Sequence, residues 1–177
     1  MPIDGRNDEM PGMRPLASLV AIVGIVLIGL AIGAPSPAAA GKGLIILVRH
    51  AERVQSAMTD DVPLTDAGRA RAQKLAAMLA EAEIRAVFTT RFRRTQETAK
   101  PLADLLKLTP IEASDTVQLV AKLRTQGDGT VLVVGHSDTV PDVIKAFGGP
   151  TVTIADEEFD DLFVLAPATG ALTRLKY

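Results

Sequence analysis

The chain has 177 residues, 47% of them hydrophobic and 23% charged, with a formal net charge of −2. That is enough for one compact domain, without the basic excess that nucleic-acid binding calls for. It has no cysteine or tryptophan, 3% aromatic residues and two histidines, which excludes disulfides, thiolate nucleophiles and Cys-ligated zinc and disfavours His-rich metal sites and base-stacking platforms.

Met1 to Gly12 carries Asp4, Asp8 and Glu9 against Arg6 alone, an unusual head for an export signal, so Met10 and Met13 stand as alternative starts. Leu16 to Ala34 then runs 19 residues without a charge, with Ser18 as its only polar side chain. A bilayer-crossing helix needs about 20. Arg14 precedes this run and Ala38-Ala39-Ala40 follows it. A basic start, apolar centre and small-residue end predict a secretory signal peptide cut after Ala40, with an uncleaved membrane anchor as the alternative. Residues 1–40 are therefore set apart from a domain over residues 41–177. The expected location is secreted or periplasmic, or anchored facing outside the cytoplasm, with membrane contact through this segment only.

Leu44 to Val48 is a continuous apolar run of strand length, as expected of a strand buried on both faces of a sheet. It ends at Arg49-His50. A polar loop, Ala51 to Pro63, leads to Thr65, an N-cap for a helix over about Asp66 to Ala82 with apolar residues at helical spacing. Ala86 to Thr89 reads as a short strand, and Arg93 to Leu106 as a helix with Leu102, Leu105 and Leu106 on its inner face. Val117 to Arg124 reads as another helix. Thr130 to Val134 is a second apolar strand, ending at Gly135-His136. Pro141 to Phe147 reads as a helix with proline in its first turn. Asp156 to Asp161 is an acidic run expected to be a solvated loop, and Leu162–Leu165 and Leu172–Leu175 are late strands joined by a turn at Ala168-Thr169-Gly170. Strands alternating with helices predict an α/β domain, a three-layer α/β/α sandwich with a mostly parallel central sheet.

Three segments carry chemistry: Arg49-His50-Ala51-Glu52, Arg91-Phe92-Arg93-Arg94 and Gly135-His136-Ser137. Each follows a strand. If those strands are parallel neighbours, their ends converge on the edge where open α/β sheets bind ligands. Two imidazoles and at least two guanidiniums would then share one pocket. Arginine forks match phosphate oxygens, and a neutral imidazole nitrogen can attack phosphorus. Phosphoryl transfer asks mainly for positioning and charge neutralisation, which such a pocket supplies without metal.

The motifs resemble those of the histidine phosphatase superfamily, the phosphoglycerate mutase-like family. Arg49-His50-Ala51 is similar to its Arg-His-Gly signature, with alanine in place of glycine. Thr90 to Arg94 with Thr98-Ala99, Gly135-His136-Ser137 and Pro63 to Gly68 resemble its other motifs, in its order. The resemblance spans Leu44 to Tyr177 and implies a metal-independent, cofactor-free phosphoric monoester hydrolase of the histidine acid phosphatase type. His50 would be the nucleophile, and Arg49, Arg94 and His136 would bind the phosphoryl group, with Ser137 beside the substrate. Spacing from Thr90 and to Thr98 favours Arg94 over Arg91 and Arg93. The substrate is expected to be a phosphorylated small molecule or a phosphoprotein.

The proton donor to the leaving group is not fixed by the resemblance. Candidates are Glu52, Asp60, Asp61, Glu112, Asp115 and Asp138. Glu112 and Asp115 rank first because the chain returns towards the pocket there. One family branch has aspartate directly after the second histidine, whereas here Ser137 intervenes before Asp138. A phosphomutase and a non-catalytic phospholigand-binding module are the alternative functions.

Overall fold

The computed structural model describes residues 43–56 and 58–177 together with Met1. The signal or anchor expected over residues 1–40 lies outside the described residues. Among the described residues no helix is long and apolar enough to cross a membrane.

A strand with no polar alternation must be covered on both sides, and the two apolar runs are the inner strands of a six-stranded sheet. In chain order the elements are β1 (Ile45–Arg49), α1 (Asp66–Leu79), β2 (Ile84–Thr90), α2 (Arg93–Leu106), β3 (Ile111–Ala113), α3 (Thr116–Arg124), β4 (Thr130–Gly135), α4 (Thr139–Ala146), β5 (Asp161–Ala166) and β6 (Ala171–Lys176). The sheet order is β3-β2-β4-β1-β5-β6. β1, β4, β2 and β3 pair in parallel, while β5 runs antiparallel to both β1 and β6. The architecture is the expected α/β/α sandwich with a mostly parallel sheet.

The period of two along β1 feeds two separate cores. Ile46 and Val48 pack with Leu75, Ala76 and Leu79 of α1 and Ala99 and Leu102 of α2. Ile45 and Leu47 pack on the other face with Leu119 and Leu123 of α3 and Val140, Val143 and Ile144 of α4. Phe88 and Phe163, both fully buried, each contribute on the order of 2–3 kcal/mol by leaving water.

The crossover rule sets the layers. From β1 the chain moves outward to β2 and β3 with its helices on one face, then reverses to β4 with α3 on the other. β1 and β4 are therefore adjacent strands from which the chain departs in opposite directions, which makes their carboxyl ends the switch point where such sheets form a crevice. The register pairs Arg49 with Gly135, so His50 and His136 emerge side by side.

Local chemistry bounds the elements. Thr65 caps α1 by accepting from Gly68 N at 3.1 Å. Asp115 caps α3 by accepting from Gln118 N at 2.8 Å. α1 ends at Leu79 rather than Ala82, where Ala82 N turns back to Leu79 O. α4 begins at Thr139, two residues before the expected proline start, because Val140 N already bonds His136 O. Leu105 is exposed, not on the inner face of α2, whose buried residues are Arg94, Thr95, Thr98, Ala99, Leu102 and Ala103. β3, a three-residue edge strand, was not foreseen. The acidic run is a loop with Asp156 and Glu157 exposed, as expected, but its last residue is not solvated: Asp161 opens β5, is 1% exposed and is held by Arg174 and Lys176.

Candidate active site

The ends of β1, β2 and β4 bring Arg49, His50, Thr90 and His136 together, and the first turn of α2 adds Arg94. His50 N donates to Gly135 O at 2.9 Å, locking the two histidine-bearing ends. The imidazole centroids lie 5.4 Å apart at 66°. Phe92 meets His136 edge-on at 5.4 Å, and Phe159 lies 6.0 Å from His50. Both histidines thus sit between aromatic walls.

His50 Nδ1 lies 2.8 Å from Ala51 O. A carbonyl only accepts, so Nδ1 carries the proton and Nε2 keeps its lone pair. Burial, above all, pushes the His50 pKa down to about 3, with the charges of Arg49 and Arg94 acting the same way. The ring is neutral at ordinary pH. The Ala51 carbonyl is itself fixed, because Ala51 N donates to Thr98 Oγ1 at 3.0 Å and Thr98 Oγ1 donates to Arg94 O at 2.6 Å. Thr98 therefore ties the His50 segment to the helix that carries Arg94.

His136 Nε2 lies 3.0 Å from Thr90 Oγ1, which lies 3.0 Å from Thr95 Oγ1. The Thr95 hydroxyl donates onward to Phe92 O at 2.8 Å. Burial lowers the His136 pKa to about 4, aided by Arg94 and opposed by Asp138 and Asp60.

The two arginines are held differently. Arg49 Nη1 donates to Ala155 O and Asp156 O at 2.8 Å and to Glu158 O at 3.3 Å. Its guanidinium stacks 4.3 Å from the Phe159 ring centroid. The segment expected to be solvated is thus the cradle of Arg49, and Glu158 in turn accepts from Ala155 N and from Arg174. Arg94 Nη1 donates to Asp60 O at 2.6 Å, its Nη2 lies 3.6 Å from Asp60 Oδ2, and its plane covers Phe92 at 4.2 Å. Each arginine is only 7% exposed. Their Nε atoms are buried and have no hydrogen-bond partner among the described residues. Two buried donors of that kind carry a desolvation cost of about 1–3 kcal/mol each until an acceptor meets them.

Of the neighbouring arginines, Arg91 is exposed over Phe92 and Arg93 pairs with Glu97 at 3.0 Å. Ser137 is half-buried in the turn between His136 and α4. Glu112 and Asp115 are not gathered into this group. Glu112 is exposed and accepts from Gln96, and the Asp115 carboxylate is committed to its capping bond, which holds its pKa low. Glu52 is clamped by Arg71, whose Nη2 lies 2.6 Å away, and its pKa is lowered by those bonds. Burial raises the Asp138 pKa, but hydrogen bonds from Thr139 outweigh it and bring it down. Asp61 accepts from Arg93 N, which leaves Asp60 as the carboxylate touching Arg94. Sequence reasoning missed Thr90, Thr95, Phe159 and the carbonyl cradle. Thr90 lay within a quoted motif, but carbonyls leave no residue-type signal.

The fold has solved counterparts. The protein histidine phosphatase SixA bound to tungstate superposes with a TM-score of 0.60 at 23% identity, covering 75% of this chain and 94% of that one. Phosphoserine phosphatase from Entamoeba histolytica in complex with 3-phosphoglyceric acid gives 0.58 at 13% identity, covering 76% and 97%. A mycobacterial glucosyl-3-phosphoglycerate phosphatase gives 0.54 at 11%, covering 76% and 98%. At these identities the likeness is one of fold. No curated protein matches the chain. Residues 45–119, the stretch that carries Arg49, His50 and Arg94, match the family model described as histidine phosphatase superfamily (branch 1).

Proposed function

We propose that the domain is a phosphatase that hydrolyses phosphomonoesters or a phosphoprotein through a phosphohistidine on His50. The observation that carries this reading is the bare Nε2 of a neutral, buried His50 beside two buried guanidiniums whose Nε donors are unpartnered. Those donors match the oxygens of a phosphoryl group. In the first step the His50 Nε2 lone pair forms a bond to phosphorus in line with the departing ester oxygen, which leaves with the bonding pair. In the second, water attacks the phosphohistidine, releasing inorganic phosphate and restoring neutral His50. Arg49, Arg94 and His136 offset the charge that builds on the equatorial oxygens. Asp60, beside Arg94, is the carboxyl best placed to hand a proton to the leaving oxygen. A protein histidine phosphatase and phosphatases of small phosphate esters among the fold neighbours support the substrate classes.

The test is phosphate release from para-nitrophenyl phosphate by the full chain in the presence of chelator, beside His50→Ala. Chelator-resistant turnover in the wild type that falls by at least about a thousandfold in the variant is expected for loss of a nucleophile. Equal turnover in both removes His50 from the mechanism. Binding of phosphate esters without turnover points to a phospholigand-binding module. Action outside the cytoplasm is part of the same reading. It rests on the apolar run Leu16 to Ala34 and is checked by sequencing the amino terminus of the mature protein.

A further inference from the structure

Arg53 is a third guanidinium at this pocket, and neither of the two catalytic steps uses it. Its backbone is fixed. Arg53 forms an antiparallel bridge with Leu64, Val54 N donates to Pro63 O at 2.9 Å, and Thr65 N donates to Glu52 O at 2.9 Å. These bonds close the base of the loop whose Asp60 reaches Arg94. Arg53 thus stands three residues beyond His50, at the base of the loop that carries Asp60. Its side chain is half-buried and has no carboxylate, carbonyl or ring partner among the described residues. Its neighbours are otherwise committed: Glu52 to Arg71, Asp61 to the start of α2 and Asp60 to Arg94.

Its charge acts on the site. Burial is the main cause of the lowered pKa values of Arg49 and Arg94, and Arg53 presses in the same direction on both. Asp156 and Glu157 oppose this at Arg49, and Asp60 and Asp61 at Arg94. Asp60 already pairs with Arg94, whereas Arg53 has no carboxylate partner among the described residues, so a negative group on a ligand is the charge that can meet it.

We propose that Arg53 is a specificity-determining residue that binds a second anionic group, a carboxylate or a further phosphate, close to the scissile phosphate. This rests on the reading of the pocket as a phosphate site. Preferred substrates are then phosphate esters with a second negative charge within a few atoms of phosphorus, and simple alkyl or aryl phosphates are poor ones. Arg53 discriminates by meeting that charge with a fork, so lysine at this position retains part of the effect.

The experiment is calorimetric titration of the full chain with phosphonoacetate, 3-phosphonopropionate and ethylphosphonate, which do not turn over, at low and at physiological salt. Wild type, Arg53→Ala, Arg53→Lys and Arg94→Ala are compared, with thermal unfolding as a check that each folds. At least one of the two carboxylate-bearing ligands is expected to bind wild type about tenfold or more tightly than ethylphosphonate. In Arg53→Ala that ratio should collapse to within about twofold of unity, and Arg53→Lys should lie between. In Arg94→Ala all three ligands should weaken while the ratio persists. No preference in the wild type, or a ratio unchanged in Arg53→Ala, overturns the role of Arg53 and leaves the phosphate site standing. Failure of all three ligands to bind wild type refutes the phosphate site itself and this inference with it.

Discussion

Acidification should destabilise this domain before its carboxylates protonate, because both histidines fold in the neutral form. In the unfolded chain a histidine takes up its proton near pKa 6.5, whereas folded His50 and His136 do so only near about 3 and about 4. Below the unfolded value, the unfolded chain therefore binds protons that the folded chain refuses. Stability is complete above that pH and is lost as the pH falls towards the folded values. Between about pH 7 and about pH 5 the two residues together remove about 4 kcal/mol, at roughly 2.5 kcal/mol per pH unit near the lower end. Glu52, Asp138 and Asp161 also have lowered pKa values and act in the same direction, but only below their unfolded values of 4.5 and 3.8. The window above about pH 5 belongs to the histidines. Urea unfolding at three pH values across it, on wild type, His50→Asn and His136→Asn, measures the slope, and each substitution should remove about half. A wild-type slope below about 0.7 kcal/mol per pH unit, equal to half a proton, would refute the claim that both rings are neutral in the folded state.

Thr98→Val keeps the shape of the side chain but leaves Ala51 N–H buried without an acceptor. It should cost about 1–3 kcal/mol in unfolding free energy and lower kcat, because the Ala51 carbonyl that orients His50 loses its anchor. Wild-type stability and turnover would sink that account. Gly68→Ala places a Cβ 2.2 Å from Glu52 O. A backbone oxygen cannot swing aside as a side chain can, so thermal unfolding should show at least about 2 kcal/mol of destabilisation, with activity lost alongside. Arg174→Gln breaks the pair with the buried Asp161 carboxylate at 2.6 Å and the bond to Glu158 at 3.2 Å, leaving only Lys176 near Asp161. Stability should fall by about 2–4 kcal/mol and phosphate binding should weaken as the Arg49 cradle loosens. Unchanged phosphate affinity in a destabilised variant would separate that cradle from the site.

The central strands were legible because burial on both faces demands unbroken apolar runs, and Leu44 to Val48 and Thr130 to Val134 have no other reading. The helix start at Asp66 was legible from its cap residue, Thr65, whereas the helix at Arg93 has no side-chain cap and was read from its apolar residues. β3 was not, since three residues with one buried side chain leave no pattern to count. Leu105 misled because every leucine was read as core, whereas the buried stripe of α2 runs through Thr95, Thr98, Ala99, Leu102 and Ala103. The acidic run misled more deeply. Composition described its side chains, but Arg49 is held by its carbonyls, and Asp161 is buried because Arg174 on the next strand neutralises it. At the site, residue types could be named in advance, but not which carboxylates were already engaged. Glu112 and Asp115 were ranked by chain position, and hydrogen bonds with Gln96 and Gln118 occupy them instead.

The grip of Asp60 on Arg94 makes Asp60 a tethered rival of every oxyanion the pocket admits. A ligand that takes the Nη1 edge of Arg94 must first evict a carbonyl at 2.6 Å. Because the rival is part of the chain, its local concentration does not fall on dilution. The handicap falls on substrate and product alike, so it cannot select between them. On the proposed reading it would shorten the stay of inorganic phosphate, since the departing anion leaves behind a guanidinium whose replacement partner is already in place.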